Sequence, residues 1–194
     1  MNLLGASYAW IAIIAVVIIL VFLIIVMFIS YYNKFVKARN NVEESFSAMD
    51  VYLVKRSSLI PNIVNTVKGY AKHEKETLTA VIEARNLANN STTREERMKN
   101  EAALTSALKS LLMVVEQYPN LQANENFMDL QNQLKEIELD IANARKFYNA
   151  RVKAYNTSIQ TFPAVIFAKI FKQTKFDFFI VDDENERKNI KVEF

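Results

Sequence analysis

Hydrophobic positions along the chain follow two regimes. From Trp10 to Ile29 every residue is apolar, WIAIIAVVIILVFLIIVMFI, and no charged side chain occurs before Lys34. A helix rises about 1.5 Å per residue, so this run covers the ~30 Å hydrocarbon core of a bilayer. Tyr8 and Trp10 at one end, and Tyr31 and Tyr32 at the other, suit the two interfaces. A cleaved leader would have a basic region first, a shorter apolar core and a small-x-small site, whereas Ser30-Tyr31-Tyr32 follows here. A retained span with ends at Trp10 and Ile29 is therefore expected.

After the span the apolar residues step by three and four, the helical period. Val36, Val42, Phe46, Met49 and Leu53 continue the first helix, and no Gly or Pro interrupts residues 30–57. Ser57-Ser58 before Pro61 reads as a helix start, since proline has no N–H to leave unpaired in a first turn. A second helix is predicted over residues 58–87, followed by the loop Asn89–Thr93 with a Thr N-cap. The third covers about 94–118, with Met98, Ala102, Thr105, Leu108, Leu111 and Val115 inward, and ends at Pro119. The fourth covers about 123–161, carrying Phe127, Leu134, Ile141, Tyr148, Val152, Tyr155 and Ile159. Phe162-Pro163 breaks it, and a short amphipathic piece, 164–171, follows. The tail from Lys172 to Phe194 alternates weakly around the charged Asp182–Lys188 stretch and reads as extended or loosely ordered.

The expected fold is all-α. One N-terminal transmembrane helix continues into an antiparallel up-and-down four-helix bundle, with a short C-terminal amphipathic segment and an extended tail. The expected divisions are 1–32 for the tail and span, 33–162 for the bundle and 163–194 for the remainder.

Composition narrows the chemistry. Two glycines and three prolines are too few for a turn-rich β fold, and the absence of cysteine removes disulfides, thiolate zinc sites and Cys nucleophiles. A single histidine, His73, cannot supply HExxH or paired ExxH metal motifs, and Tyr70 stands three residues before it. With only Gly5 and Gly69 there is no phosphate-cradling glycine loop. Asp182–Glu186 is acidic but lacks the EF-hand spacing and its glycine. No catalytic constellation, metal site or cofactor is expected. The net charge of +3 is interleaved, so no nucleic-acid partner is expected either. Gly69 falls inside the predicted second helix, where close helix approach would justify it.

Two groups of charged residues stand out. Arg39, Arg85, Glu116 and Arg145 lie on or beside apolar stripes. They suggest a buried ion-pair network fixing helix register, or alternatively a polar pocket for a ligand. Lys169, Lys172 and Lys175, interleaved with Ile170, Phe171 and Phe176, suggest contact with an anionic membrane surface. Lys34, Lys37 and Arg39 directly follow the span and none precedes it, which predicts the N-terminus outside and the bundle in the cytoplasm.

Several runs together carry a family likeness. They are Tyr32-Asn33-Lys34-Phe35-Val36 with Arg39-Asn40, Arg56-Ser57-Ser58-Leu59-Ile60-Pro61-Asn62, and Val67-Lys68-Gly69-Tyr70-Ala71-Lys72-His73-Glu74 with Ala84-Arg85. Further on come Val115-Glu116-Gln117-Tyr118-Pro119-Asn120-Leu121, Ala144-Arg145-Lys146-Phe147-Tyr148-Asn149, Tyr155-Asn156 and Phe162-Pro163. In this order and spacing the chain resembles the LemA family of prokaryotic membrane proteins, with Phe46 where that family usually has Trp. The resemblance implies a short outer N-terminus, one span and a helical bundle, and implies no reaction. The function expected is a non-enzymatic interaction or scaffold protein at the membrane, with the lipid bilayer and a protein as partners. The alternative is a membrane-tethered small-ligand sensor or carrier using a polar pocket.

Overall fold

The structure, a computed structural model, describes the backbone of residues 3–180 and the side chains of residues 10–180. Among the described residues, 84% are helical and none forms a strand. The helices are α1 (Leu3–Tyr70), α2 (Lys75–Asn89), α3 (Arg94–Val115), α4 (Pro119–Gln122), α5 (Glu125–Ser158) and α6 (Ala164–Ile170). They build two compact units, to both of which α1 and α5 contribute. The first comprises the chain up to Glu43 with Arg151–Phe176, and the second comprises Glu44–Ala150 with the chain from Asp177. The interfacial place expected of Tyr8, the acidic run Asp182–Glu186 and the stretch Asn189–Phe194 lie outside the residues whose side chains are described.

The expected helix start at Ser57-Ser58 does not occur, because α1 passes through Pro61 without a break. Both serines serve the helix interior instead. Ser58 Oγ donates to the Val54 carbonyl (2.9 Å), and Ser57 Oγ donates to Asn89 Oδ1 on α2 (2.9 Å). Pro61 has no N–H for the carbonyl four residues back, which is that of Ser57. Arg85 Nε on α2 takes its place, donating to the Ser57 carbonyl at 2.8 Å.

The break falls later, at 71–74. Between Ala71 and Leu78 the sequence offers no apolar side chain, so burial cannot sustain a helix there. Gly69, in the last turn of α1, lowers helix propensity just before it. A Cβ at Gly69 would meet nothing within 4 Å, so close helix approach is not its reason.

In the second unit α1 supplies Ile60, Ile63 and Val67 to the core, α2 Leu78 and Val81, α3 Leu104, Leu108 and Leu111, and α5 Phe127 and Leu134. Leu121 of α4 closes one end. The core thus draws on α1, α2, α3 and α5, with α4 at one end. At that end Tyr118 Oη donates to Glu74 Oε1 (2.9 Å) and Asn124 Nδ2 to Tyr70 Oη (3.1 Å), tying down the α1–α2 turn. At the other end Thr93 caps α3, its hydroxyl accepting from the Glu96 N–H at 3.1 Å. Glu96 reaches back to the Thr92 N–H at 2.9 Å, a variant of the capping box.

In the first unit every side chain from Trp10 to Ser30 is exposed, which removes a buried core helix as the reason for the apolar run. Burial begins at Phe35, and α6 packs on this stretch through rings. Phe167 stacks on Tyr31 at 4.7 Å, and Phe171 meets Phe28 (4.7 Å) and Tyr32 (5.3 Å) edge-on. Residues 173–180 are non-helical, and asparagines of α5 hold their main chain. Asn156 accepts from the Phe176 N–H (3.0 Å) and donates to its carbonyl (2.9 Å). In the second unit, Asn149 does the same to Phe179, at 2.9 and 3.0 Å.

Candidate functional site

Two charged features of the second unit are candidates. The first is a buried ion-pair network among α1, α3 and α5. Arg56 is 1% exposed and projects from the apolar stripe of α1 into the unit. Its Nη2 pairs with Glu101 Oε2 and also reaches the Glu101 carbonyl (3.3 Å). Its Nη1 donates to Glu138 Oε1 and Thr105 Oγ1, both at 2.8 Å. Glu101, fully buried, has its other oxygen 3.0 Å from Arg97 Nε. Arg97 Nη2 lies 3.3 Å from Asp50 Oδ1. These last two are ion pairs without hydrogen-bond alignment; the aligned bond of Arg97 runs from Nη1 to the Ala88 carbonyl at 2.7 Å. Fully buried Arg56 and half-buried Arg97 thus meet one fully buried carboxylate and two partly exposed ones, so each ion of the network faces an opposite charge.

The second feature is an open cleft of about 650 Å³ over the N-terminus of α3. Arg85, Arg94 and Arg97 line it with Asp50, Phe46 and the hydroxyls of Ser57, Ser91 and Thr93. Three guanidinium groups against a single lining carboxylate, at the positive end of a helix of 22 residues, give it a cationic wall. Arg94 also lies over the Phe46 ring at 4.9 Å, and Phe46 meets Tyr148 edge-on at 5.6 Å. Burial pushes the Tyr148 phenol above its ordinary value.

Of the residues expected to form one network, the structure does not bring the four together. Arg39 belongs to the first unit, half exposed, where it pairs with Glu43 at 3.1 Å and lies over the Phe176 ring. Arg85 holds the Ser57 carbonyl and lines the cleft. Glu116 is the exposed C-cap of α3, and Arg145 is half-buried on α5. The buried charges are Arg56 and Glu101 instead. Their signal is present in the sequence, since Leu53–Arg56–Ile60 and Met98–Glu101–Leu104 keep the helical step. Of the inward face predicted for the third helix, Met98, Leu108, Leu111 and Val115 are buried, whereas Ala102 and Thr105 fall one residue after the buried Glu101 and Leu104. Lys169, Lys172 and Lys175 are exposed in the first unit, Lys172 with φ 52° where α6 ends.

Among the described residues the protein is helical, and one N-terminal helix is long and apolar enough to cross a bilayer. The LemA family pattern matches residues 45–194, and the chain belongs to the LemA family. Among named relatives, magnetosome proteins MamQ 2 and MamQ 1 of Paramagnetospirillum magneticum are each 26% identical over 158 aligned positions, covering 68% of this chain and 58% of theirs. Protein LemA of Metamycoplasma hominis is 21% identical over 136 positions, covering 70% of this chain and 62% of its own. The chain thus spans about three fifths of the length of these relatives.

Proposed function

We propose that this chain is a single-pass, membrane-anchored interaction protein whose helical bundle works by binding another protein rather than by catalysis. The observation that carries the reading is the make-up of α1. One unbroken helix presents exposed apolar side chains from Trp10 to Ile29 and then core positions from Val42 to Val67. Such a helix is both anchor and structural member of the bundle, which suits a module held at a surface to meet partners. The buried charges support the reading, because Arg56 and Glu101 face each other and further charged neighbours inside the unit rather than an open pocket. The basic residues after the span favour the N-terminus outside and the bundle in the cytoplasm. Crosslinking of the full chain in native membranes, followed by identification of the captured proteins, tests the reading. Reproducible capture of one partner through bundle positions supports it, and capture of none refutes it. A C-terminal tag protected in intact cells supports the orientation.

The arginine-lined cleft favours a second reading, a carrier or sensor for a small anion. A thermal-shift series of the detergent-solubilised chain with phosphate-bearing and dicarboxylate compounds separates the two, because a ligand of the native state raises its stability. A saturable upward shift abolished by Arg94→Gln favours the carrier.

A further inference from the structure

The first unit carries an uneven charge that the whole-chain value hides. Its sequence holds eight cations (Lys34, Lys37, Arg39, Arg151, Lys153, Lys169, Lys172 and Lys175) and one acid, Glu43, although the chain as a whole is only +3. The same unit holds the apolar span, and α6 is seated on α1 between Phe28 and Phe35, where the apolar run gives way to the first lysines.

The two faces of α6 differ in what they meet. Ala164, Phe167 and Ala168 are buried, and Phe167 and Phe171 pack against the rings of α1. Ile166 and Ile170, one turn apart on the opposite side of α6, remain 50% and 55% exposed, and Phe162, in the turn just before the helix, is 82% exposed. Lys169 and Lys172 flank them, Lys169 exposed and Lys172 likewise at the end of the helix. An apolar line edged by cations, continuous with a bilayer-spanning run, is the pattern of a helix lying in the membrane interface. Each cation held near an anionic leaflet strengthens that attraction.

We propose that α6 is an in-plane membrane foot: Phe162, Ile166 and Ile170 enter the interfacial layer of an anionic leaflet beside the exit of the span, while Lys169 and Lys172 meet lipid phosphates. The proposal rests on α1 being a bilayer span, and the test examines that separately. It also gives the chain two attachments to one leaflet, so that the first unit has a fixed rotational setting about the span.

The chain has no cysteine, so single-cysteine labelling is clean. An environment-sensitive fluorophore is placed at Ile166→Cys, Ile170→Cys, Leu20→Cys (span) and Leu139→Cys (63% exposed, in the second unit). The full chain is reconstituted in bilayers of phosphatidylcholine and phosphatidylglycerol, with or without brominated acyl chains. The expected result is blue-shifted emission with about twofold or greater bromine quenching at positions 20, 166 and 170, and neither at 139. With Lys169→Glu and Lys172→Glu added, quenching at 170 falls in the anionic bilayer. Water-like emission at 166 and 170 with quenching at 20 overturns the foot and leaves the span standing. A blue shift without quenching at 166 and 170 means that protein, such as a second copy, covers the face, which also overturns it. No quenching at 20 overturns the span and the foot together. Unchanged quenching in the lysine variant overturns the part given to the two lysines.

Discussion

The pairing of Pro61 with Arg85 yields a prediction that only this geometry makes. Proline at 61 removes the N–H that would bond the Ser57 carbonyl, and Arg85 Nε substitutes for it at 2.8 Å. Arg85→Met leaves that carbonyl without its donor in a partly buried place. Hydrogen bonds from charged donors contribute about 1.5–3 kcal/mol, and the partial exposure of Arg85 puts the loss at the lower end, about 1.5 kcal/mol. Pro61→Ala restores a main-chain N–H four residues on. By itself it should stabilise α1, since proline costs up to about 3 kcal/mol in a helix interior. In that background the restored N–H holds the carbonyl, so Arg85→Met should cost less than about 0.5 kcal/mol, leaving about 1 kcal/mol of coupling between the two positions. Urea titration of the full chain in mild detergent, followed by helical circular dichroism, measures all four corners of the cycle. The midpoints are comparable provided the slopes agree. An equal cost of Arg85→Met in both backgrounds would refute the argument, because the arginine would then be stabilising something other than the orphaned carbonyl.

Three further variants probe other contacts of the second unit and its helix ends. Arg56→Met leaves the fully buried Glu101 with Arg97 as its one remaining cation, in an unaligned pair, and should cost about 3 kcal/mol, the lower end for breaking a buried pair, whereas Arg56→Met with Glu101→Leu should be less destabilised than the single variant; urea midpoints decide, and additive losses would contradict the buried pairing. Gly69→Ala should raise stability by about 0.5–1 kcal/mol, since the added methyl meets no atom within 4 Å, and a lowered midpoint would contradict the absence of a packing reason for glycine. The Thr92 N–H and hydroxyl hold the Glu96 carboxyl below its ordinary 4.5. A depressed folded-state value gives stability that is present above that ordinary value and is lost as the pH falls through the folded one. Glu96→Gln should therefore be less stable than the parent at neutral pH and converge with it in acid, and a gap that persists in acid would point away from the capping carboxylate.

Much of the fold is legible because burial obeys a period. The span needs only twenty apolar residues in succession, and α3 needs a threonine before a striped segment with glutamate three residues on. The boundary between the first two bundle helices is misleading in the sequence, because the Ser-Ser-x-x-Pro pattern that starts a helix is also tolerated inside one, once a distant donor replaces the missing N–H. That donor, Arg85, lies 28 residues ahead of the bond it satisfies, and no local rule finds it. The site is harder for a related reason. A charged residue on an apolar stripe marks either a partner or a misplaced stripe, and a shift of one residue on α3 turns Ala102 inward in the prediction where Glu101 and Leu104 are buried. Arg85 stands out on its apolar stripe in the sequence, and its partner in the structure is a backbone oxygen and not a carboxylate.

The asparagine clamps on residues 173–180 have a consequence for how this segment can change. Asn156 and Asn149 grip the N–H and C=O of Phe176 and Phe179, which every residue type except proline offers alike. The path of the segment is thus written in α5 as well as in the side chains of Gln173, Phe176 and Phe179, which meet Tyr155, Arg39 and the core. Its exposed positions are free to drift or to be rewritten for another purpose, provided proline stays out of 176 and 179 and those three side chains and the two asparagines remain.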